Sequence, residues 1–70
     1  MKMSIEEHLR FHMARLGYFM PILYEGNPCI LYVDDEGDWY YTLGKTAYGT
    51  SISEVATRLE SGVMELLNWE

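Results

Sequence analysis

Cysteine is almost missing from this chain. Cys29 is the only one in 70 residues, which excludes an internal disulfide as the staple that small domains often need. Zinc is unsupported too, because Cys29, His8 and His12 do not make a ligand set with recognised spacing. Basic residues are also scarce: 5 lysines and arginines stand against 11 aspartates and glutamates, for a formal net charge of −6. Phosphate contacts need a basic face, so direct nucleic-acid binding is disfavoured. No apolar run approaches the roughly 20 residues of a membrane span, and no membrane partner is expected. Charges arrive at once after Met1, with Lys2, Glu6 and Glu7, so the apolar core of a signal peptide is lacking. With the single cysteine, this leads to the expectation of a cytoplasmic protein. There is no repeat, low-complexity tract or linker, so residues 1–70 read as one domain.

Apolar residues, by contrast, are plentiful. Hydrophobic residues make up 49% and aromatics 14% of the chain, more than a disordered segment carries. At this size a core rarely supplies more than about 3–5 kcal/mol, which leaves tight packing or a homodimer as the route to stability.

The strongest pattern lies in residues 51–69. Ile52, Val55, Ala56, Leu59, Val63, Leu66 and Leu67 recur at three- and four-residue steps, the spacing of one helix face. Ser51 and Glu54 have the form of a capping box. Gly62 then falls inside the helix and predicts close packing against a neighbour. A first helix is expected over residues 4–16, opened by a second capping box from Ser4 and Glu7. It carries Ile5, Leu9, His12, Met13 and Leu16 on one face and is stopped by Gly17. Between the helices, residues 18–24, 29–33 and 39–43 read as strands. Pro21 suggests an edge or a bulge in the first, and the turns are Glu25-Gly26-Asn27-Pro28 and Asp34-Asp35-Glu36-Gly37-Asp38. The expected fold is therefore α+β: helix, three-stranded antiparallel meander, helix (α-β-β-β-α), with the helices on one face of the sheet. Residues 44–50 serve only as the connection to the last helix.

Strand alternation then sorts the side chains. Leu31, Val33, Tyr41 and Leu43 are expected inside, with Tyr32, Tyr40 and Tyr24 on the open face. Tyrosine combines contact area with a polar tip, so an open face bearing tyrosines is a candidate partner surface.

Features that resemble catalytic or metal chemistry lack their required context. His8 and His12 are one helical turn apart, but the interval HLRFH is not the metalloprotease HExxH. The acidic turn from Asp34 to Asp38 lacks the twelve-residue ligand pattern and flanking helices of an EF-hand. Gly44-Lys45-Thr46 lacks the upstream glycine of a phosphate-binding loop. Cys29 sits in an apolar strand, where a thiol is inert packing. No catalytic residue, metal ligand or cofactor is expected, and the chain is not expected to be an enzyme.

The order helix, three antiparallel strands, helix resembles the double-stranded RNA-binding domain in layout. That family places a lysine-rich run at the start of its last helix to hold phosphates. The matching positions here are Ser51, Ile52, Ser53, Glu54, Val55 and Ala56, so the resemblance implies a shared layout without RNA binding. In general character the chain also resembles the small acidic antagonists that bacteriophages and other mobile elements encode, anti-CRISPR proteins among them. The expected function is that of a protein-binding module that blocks a host protein, such as a nucleic-acid-binding complex. Glu25, Asp34, Asp35, Glu36 and Asp38 would mimic nucleic-acid charge, and Tyr32, Tyr40 and Trp69 would supply contact area. The alternative is a homodimeric adaptor subunit that assembles through the Met64 and Trp69 side of its last helix.

Overall fold

The computed structural model describes residues 4–67. In chain order the elements are α1 (Ile5–Arg15), β1 (Phe19–Tyr24), β2 (Asn27–Val33), β3 (Trp39–Leu43), β4 (Thr46–Thr50), α2 (Ile52–Ser61) and β5 (Met64–Leu66). The strands make one antiparallel sheet in the order β4-β3-β2-β1-β5. The α+β class is as expected. The three-stranded meander is only the centre of the sheet, which gains one strand at each edge and so departs from the α-β-β-β-α layout.

Local chemistry explains most element boundaries. The Ser4 hydroxyl accepts from the Glu7 N–H and the Glu7 carboxylate accepts from the Ser4 N–H, each at 3.1 Å, completing the capping box of α1. At its other end Gly17 and Tyr18 are both left-handed, with φ of 77° and 65°. The Tyr18 N–H donates to the Met13 carbonyl at 2.8 Å and the Gly17 N–H to Ala14 at 3.3 Å, the paired bonds of a Schellman motif. The chain is thereby turned so that the Tyr18 carbonyl accepts from the Val33 N–H at 3.0 Å and β1 runs beside β2.

Two hairpins have two-residue loops. Tyr24 pairs with Asn27 across Glu25 and Gly26, whose φ values of 50° and 82° define a type I′ turn. Leu43 pairs with Thr46 across Gly44 and Lys45. Gly44 has φ of 63°, as the first position of a type II′ turn requires. This second hairpin converts the expected connection over residues 44–50 into β4. Thr46-Ala47-Tyr48-Gly49-Thr50 lacks the apolar alternation that marks a strand and mixes the strand-favouring Thr and Tyr with Ala47 and Gly49, so its pairing with β3 decides the outcome.

The last helix differs most from expectation. The Ser51 hydroxyl accepts from the Glu54 N–H at 3.2 Å, but the Glu54 carboxylate accepts from the Thr50 hydroxyl at 3.2 Å, so the expected reciprocal bond of that capping box is replaced. The helix stops after ten residues because Gly62 takes φ of 85°, with its N–H donating to the Leu59 carbonyl. Gly62 is therefore a left-handed cap and not a close-packing site: a Cβ placed there would meet no atom within 4 Å beyond the local backbone. The Val63 carbonyl then accepts from the Glu25 N–H at 2.7 Å, and Met64–Leu66 pairs with β1 from Tyr24 back to Ile22. Pro21 lies just past the stretch of β1 that β5 covers, where its missing N–H costs no ladder bond.

The core joins Leu9 and Met13 of α1, Val55 and Ala56 of α2, and the strand residues Met20, Ile22, Cys29, Leu31, Tyr41 and Met64. Leu31 is fully buried between Met20 and Tyr41 in the central strands. Val33 and Leu43 are half-buried against this cluster. Tyr24, expected on the open face, is instead on the core side, where its ring stacks on Tyr41 at 5.2 Å. Residue parity decides this: Tyr24 shares the face of the buried Met20 and Ile22, while Phe19 and Pro21, of the other parity, are exposed. The stack continues from Tyr41 to Tyr48 of β4 at 5.3 Å. The Arg58 guanidinium lies over Tyr41 and donates to the Thr50 hydroxyl at 3.2 Å. Burial is the main reason the Tyr41 phenol is held above its ordinary pKa, aided by Tyr24 and opposed by Arg58.

Candidate functional site

Both helices contribute their buried residues to the same side of the sheet, so the opposite face is left to solvent. Strand register builds that face row by row. Phe19, Tyr32, Tyr40 and Gly49 form one row across β1, β2, β3 and β4. Pro21, Ile30, Thr42 and Ala47 form the next. In the first row the Tyr32 and Tyr40 rings stack at 5.4 Å with 19° between their planes, and Phe19 beside them is 56% exposed. In the second, the Thr42 hydroxyl accepts from the Ile30 N–H at 3.3 Å. Below it Leu23, Pro28, Ile30 and Leu67 line a shallow apolar groove of ≈ 420 Å³.

The acidic β2–β3 loop sits beside the middle of the aromatic row, because Val33 and Trp39, which close it, are the immediate neighbours of Tyr32 and Tyr40. One oxygen of the Asp34 carboxylate accepts from the N–H groups of Glu36 and Asp38, at 3.0 and 2.9 Å. The Gly37 N–H donates to the Asp34 carbonyl, and the Asp34 N–H to the Asp38 carbonyl. These bonds gather Asp34, Glu36 and Asp38, which bring carboxylate oxygens within 4.8 Å of one another. The field of this tip reaches Tyr40: its phenol is held above its ordinary pKa, chiefly by Asp34, then by desolvation, Asp38, Tyr32 and Glu36. A calcium ion takes about six to eight oxygens. The tip offers three exposed or half-exposed carboxylates, one oxygen of which is already committed to two N–H donors. That is the economy of a hairpin tip.

Of the candidate residues, the structure brings Tyr32, Tyr40, Asp34, Glu36 and Asp38 together, with Asp35 exposed on the same loop. Glu25 does not join them. It occupies the β1–β2 turn at the far end of β2, about 20 Å away at the usual rise per residue. Trp69 lies outside the described residues. Met64, assigned from the sequence to an outward helix surface, is 1% exposed and in β5. Phe19, Ile30 and Thr42 belong to the open face, although nothing in their types marks them as site residues. The alternation of Phe19, Pro21 and Leu23 against Met20 and Ile22 is the signal that could have found the first of them.

Other chemistry is sparse among the described residues. A groove of ≈ 400 Å³ between α1, α2 and β5 is lined by Ile5, Leu59, Met64 and Leu66, with Glu65 as its ionisable side chain. Cys29 is buried, and burial pushes its thiol pKa up against a smaller lowering by a hydrogen bond from the Thr42 backbone. No helix among the described residues is long and apolar enough to cross a membrane. Comparison with protein-family models, curated proteins and solved structures gives no match.

Proposed function

We propose that the chain is a non-catalytic binding module that docks the open sheet face and its acidic rim against a basic protein surface. The observation that carries this reading is the juxtaposition of the stacked Tyr32–Tyr40 pair with the carboxylates of Asp34, Glu36 and Asp38. Aromatic area supplies affinity at the centre of an interface. The concentrated negative charge beside it raises the association rate and selects a cationic partner. A basic groove that normally holds nucleic acid has this complementary chemistry, so the finer reading is an antagonist that occupies such a groove, as phage-encoded inhibitors do.

Immobilised protein exposed to bacterial lysate at low and high salt provides the test. A partner of basic, nucleic-acid-handling character should be retained at about 50 mM salt, released by several hundred millimolar, and lost with D34K/E36K/D38K or with Y32A/Y40A. A partner set unchanged by both variants would remove the open face from the interaction and with it this reading.

A further inference from the structure

We infer that β4 is a self-pairing edge, through which two copies of the chain join their sheets around a two-fold axis at Tyr48. The inference is independent of the acidic docking face. Three observations lead to it. First, β4 is the outermost strand on its side of the sheet, and Thr46, Ala47, Tyr48 and Gly49 are all exposed. Natural sheets blunt such edges with charge, proline or a bulge. Thr46–Thr50 has no charge and no proline, and its register with β3 runs without a bulge.

Second, the polar groups that face outward follow from the hairpin. Leu43 and Thr46 close a two-residue loop, so they exchange both their bonds, and bonded pairs alternate from there. Thr46, Tyr48 and Thr50 thus spend their backbone groups on β3, while Ala47 and Gly49 turn theirs to the free edge.

Third, the edge is self-complementary. Thr-Ala-Tyr-Gly-Thr reads nearly the same in both directions by side-chain size. Antiparallel pairing centred on Tyr48 puts Thr46 opposite Thr50 of the second copy and Ala47 opposite Gly49. The outward backbone groups of Ala47 and Gly49 then bond reciprocally, and the small side chains on the open face do not collide. Tyr48 meets its own copy at a non-hydrogen-bonded position, where side chains approach most closely. Tyr48 is 43% exposed and already ends the stack Tyr24–Tyr41–Tyr48. The two-fold axis joins two such stacks into one.

Charge agrees with this arrangement. Each copy carries a net charge of −6, yet the paired segments are neutral. The antiparallel order carries Lys45 of the second copy to the end of β4 where Glu54 lies beside Thr50. An edge of five residues is smaller than a standard interface of about 1,600 Å², so the pairing belongs to the weak class and shows itself at high protein concentration.

The test measures mass by sedimentation equilibrium across about 1 μM to 1 mM, with three variants. Wild type should rise from monomer towards dimer mass, and high salt should leave this largely unchanged because backbone bonds dominate the contact. A47P removes an N–H that points outward, and so should abolish the dimer while circular dichroism is preserved. Under mild oxidation Y48C should form a covalent dimer, since opposed positions of this kind fall within disulfide range. T46C should remain monomeric, because its own copy lies about 13 Å away along the strands. Should A47P fail to fold, the two cysteine variants still decide the register. A wild type that stays monomeric to about 1 mM, a dimer indifferent to A47P, or cross-linking of T46C as ready as that of Y48C would each overturn the inference.

Discussion

Replacing Gly62 with alanine separates two descriptions of the C-terminal region by the sign of its effect. If the helix ran through residue 62, alanine would stabilise it by about 1 kcal/mol, the ordinary helix-interior difference from glycine. At the observed φ of 85° the sign reverses. An L-residue in the left-handed region costs roughly 1–2 kcal/mol, and the lower entropy of the unfolded alanine chain returns about 0.4–1 kcal/mol of that. Beyond the local backbone no atom lies within 4 Å of the added Cβ, so tertiary packing adds neither gain nor clash to that local cost. The net expectation is a loss of about 1 kcal/mol. For a domain of this size that lowers the thermal midpoint by roughly 4–8 °C. In urea, with a slope of about 1 kcal/mol/M, the midpoint falls by about 1 M. Urea titration followed by circular dichroism measures it directly. G62N, which tolerates the left-handed region better than alanine, should fall between wild type and G62A. A midpoint that rises for G62A would mean that α2 continues beyond Ser61, and β5 could then not pair with β1.

The electrostatic description of the open face and the packing of Cys29 can be checked by titration. Tyr40 should ionise above the ordinary tyrosine range in an absorbance titration at high pH, and D34N should bring it down most, since Asp34 is the largest cause. Because the folded state favours the neutral phenol, its contribution to stability is intact below about pH 10 and is lost as the pH rises through the raised value. An unmoved Tyr40 in D34N would contradict the proximity of the acidic tip to the aromatic row. Cys29 should resist a thiol reagent at pH 8 and react at the rate of a free thiol in denaturant, because it is buried and its thiolate is disfavoured. Rapid labelling of the folded protein would place Cys29 outside the core.

The sequence alone was sufficient for several outcomes that depend on near neighbours, although the reciprocal bond of the Ser51–Glu54 box and the turn at Gly44 were not among them. The Ser4–Glu7 capping box, the Gly17 stop, the Glu25-Gly26 turn and the buried stripe of Val55 and Ala56 are local matters of dihedral preference and helical spacing. The alternation that sends Leu31 and Tyr41 inward and Tyr32 and Tyr40 outward is local as well, and residue parity alone makes it legible. Other features were settled by partners distant in the chain. Thr46–Thr50 shows no apolar alternation and became a strand because a glycine-led turn folds it onto β3. Residues 63–67 continue the helical spacing of α2, but the left-handed Gly62 hands them to β1, whose Glu25 N–H and free edge at Ile22–Tyr24 supply the bonds. The same pairing takes Met64 out of a surface and puts it in the core. The acidic residues were visible as a group, yet only the hairpin geometry divides them, holding Asp34, Glu36 and Asp38 beside Tyr40 while Glu25 goes to the opposite end of the sheet. Spacing along a chain fixes which face a residue takes; which faces and ends meet is decided by hydrogen-bond pairing between segments that sequence order keeps apart.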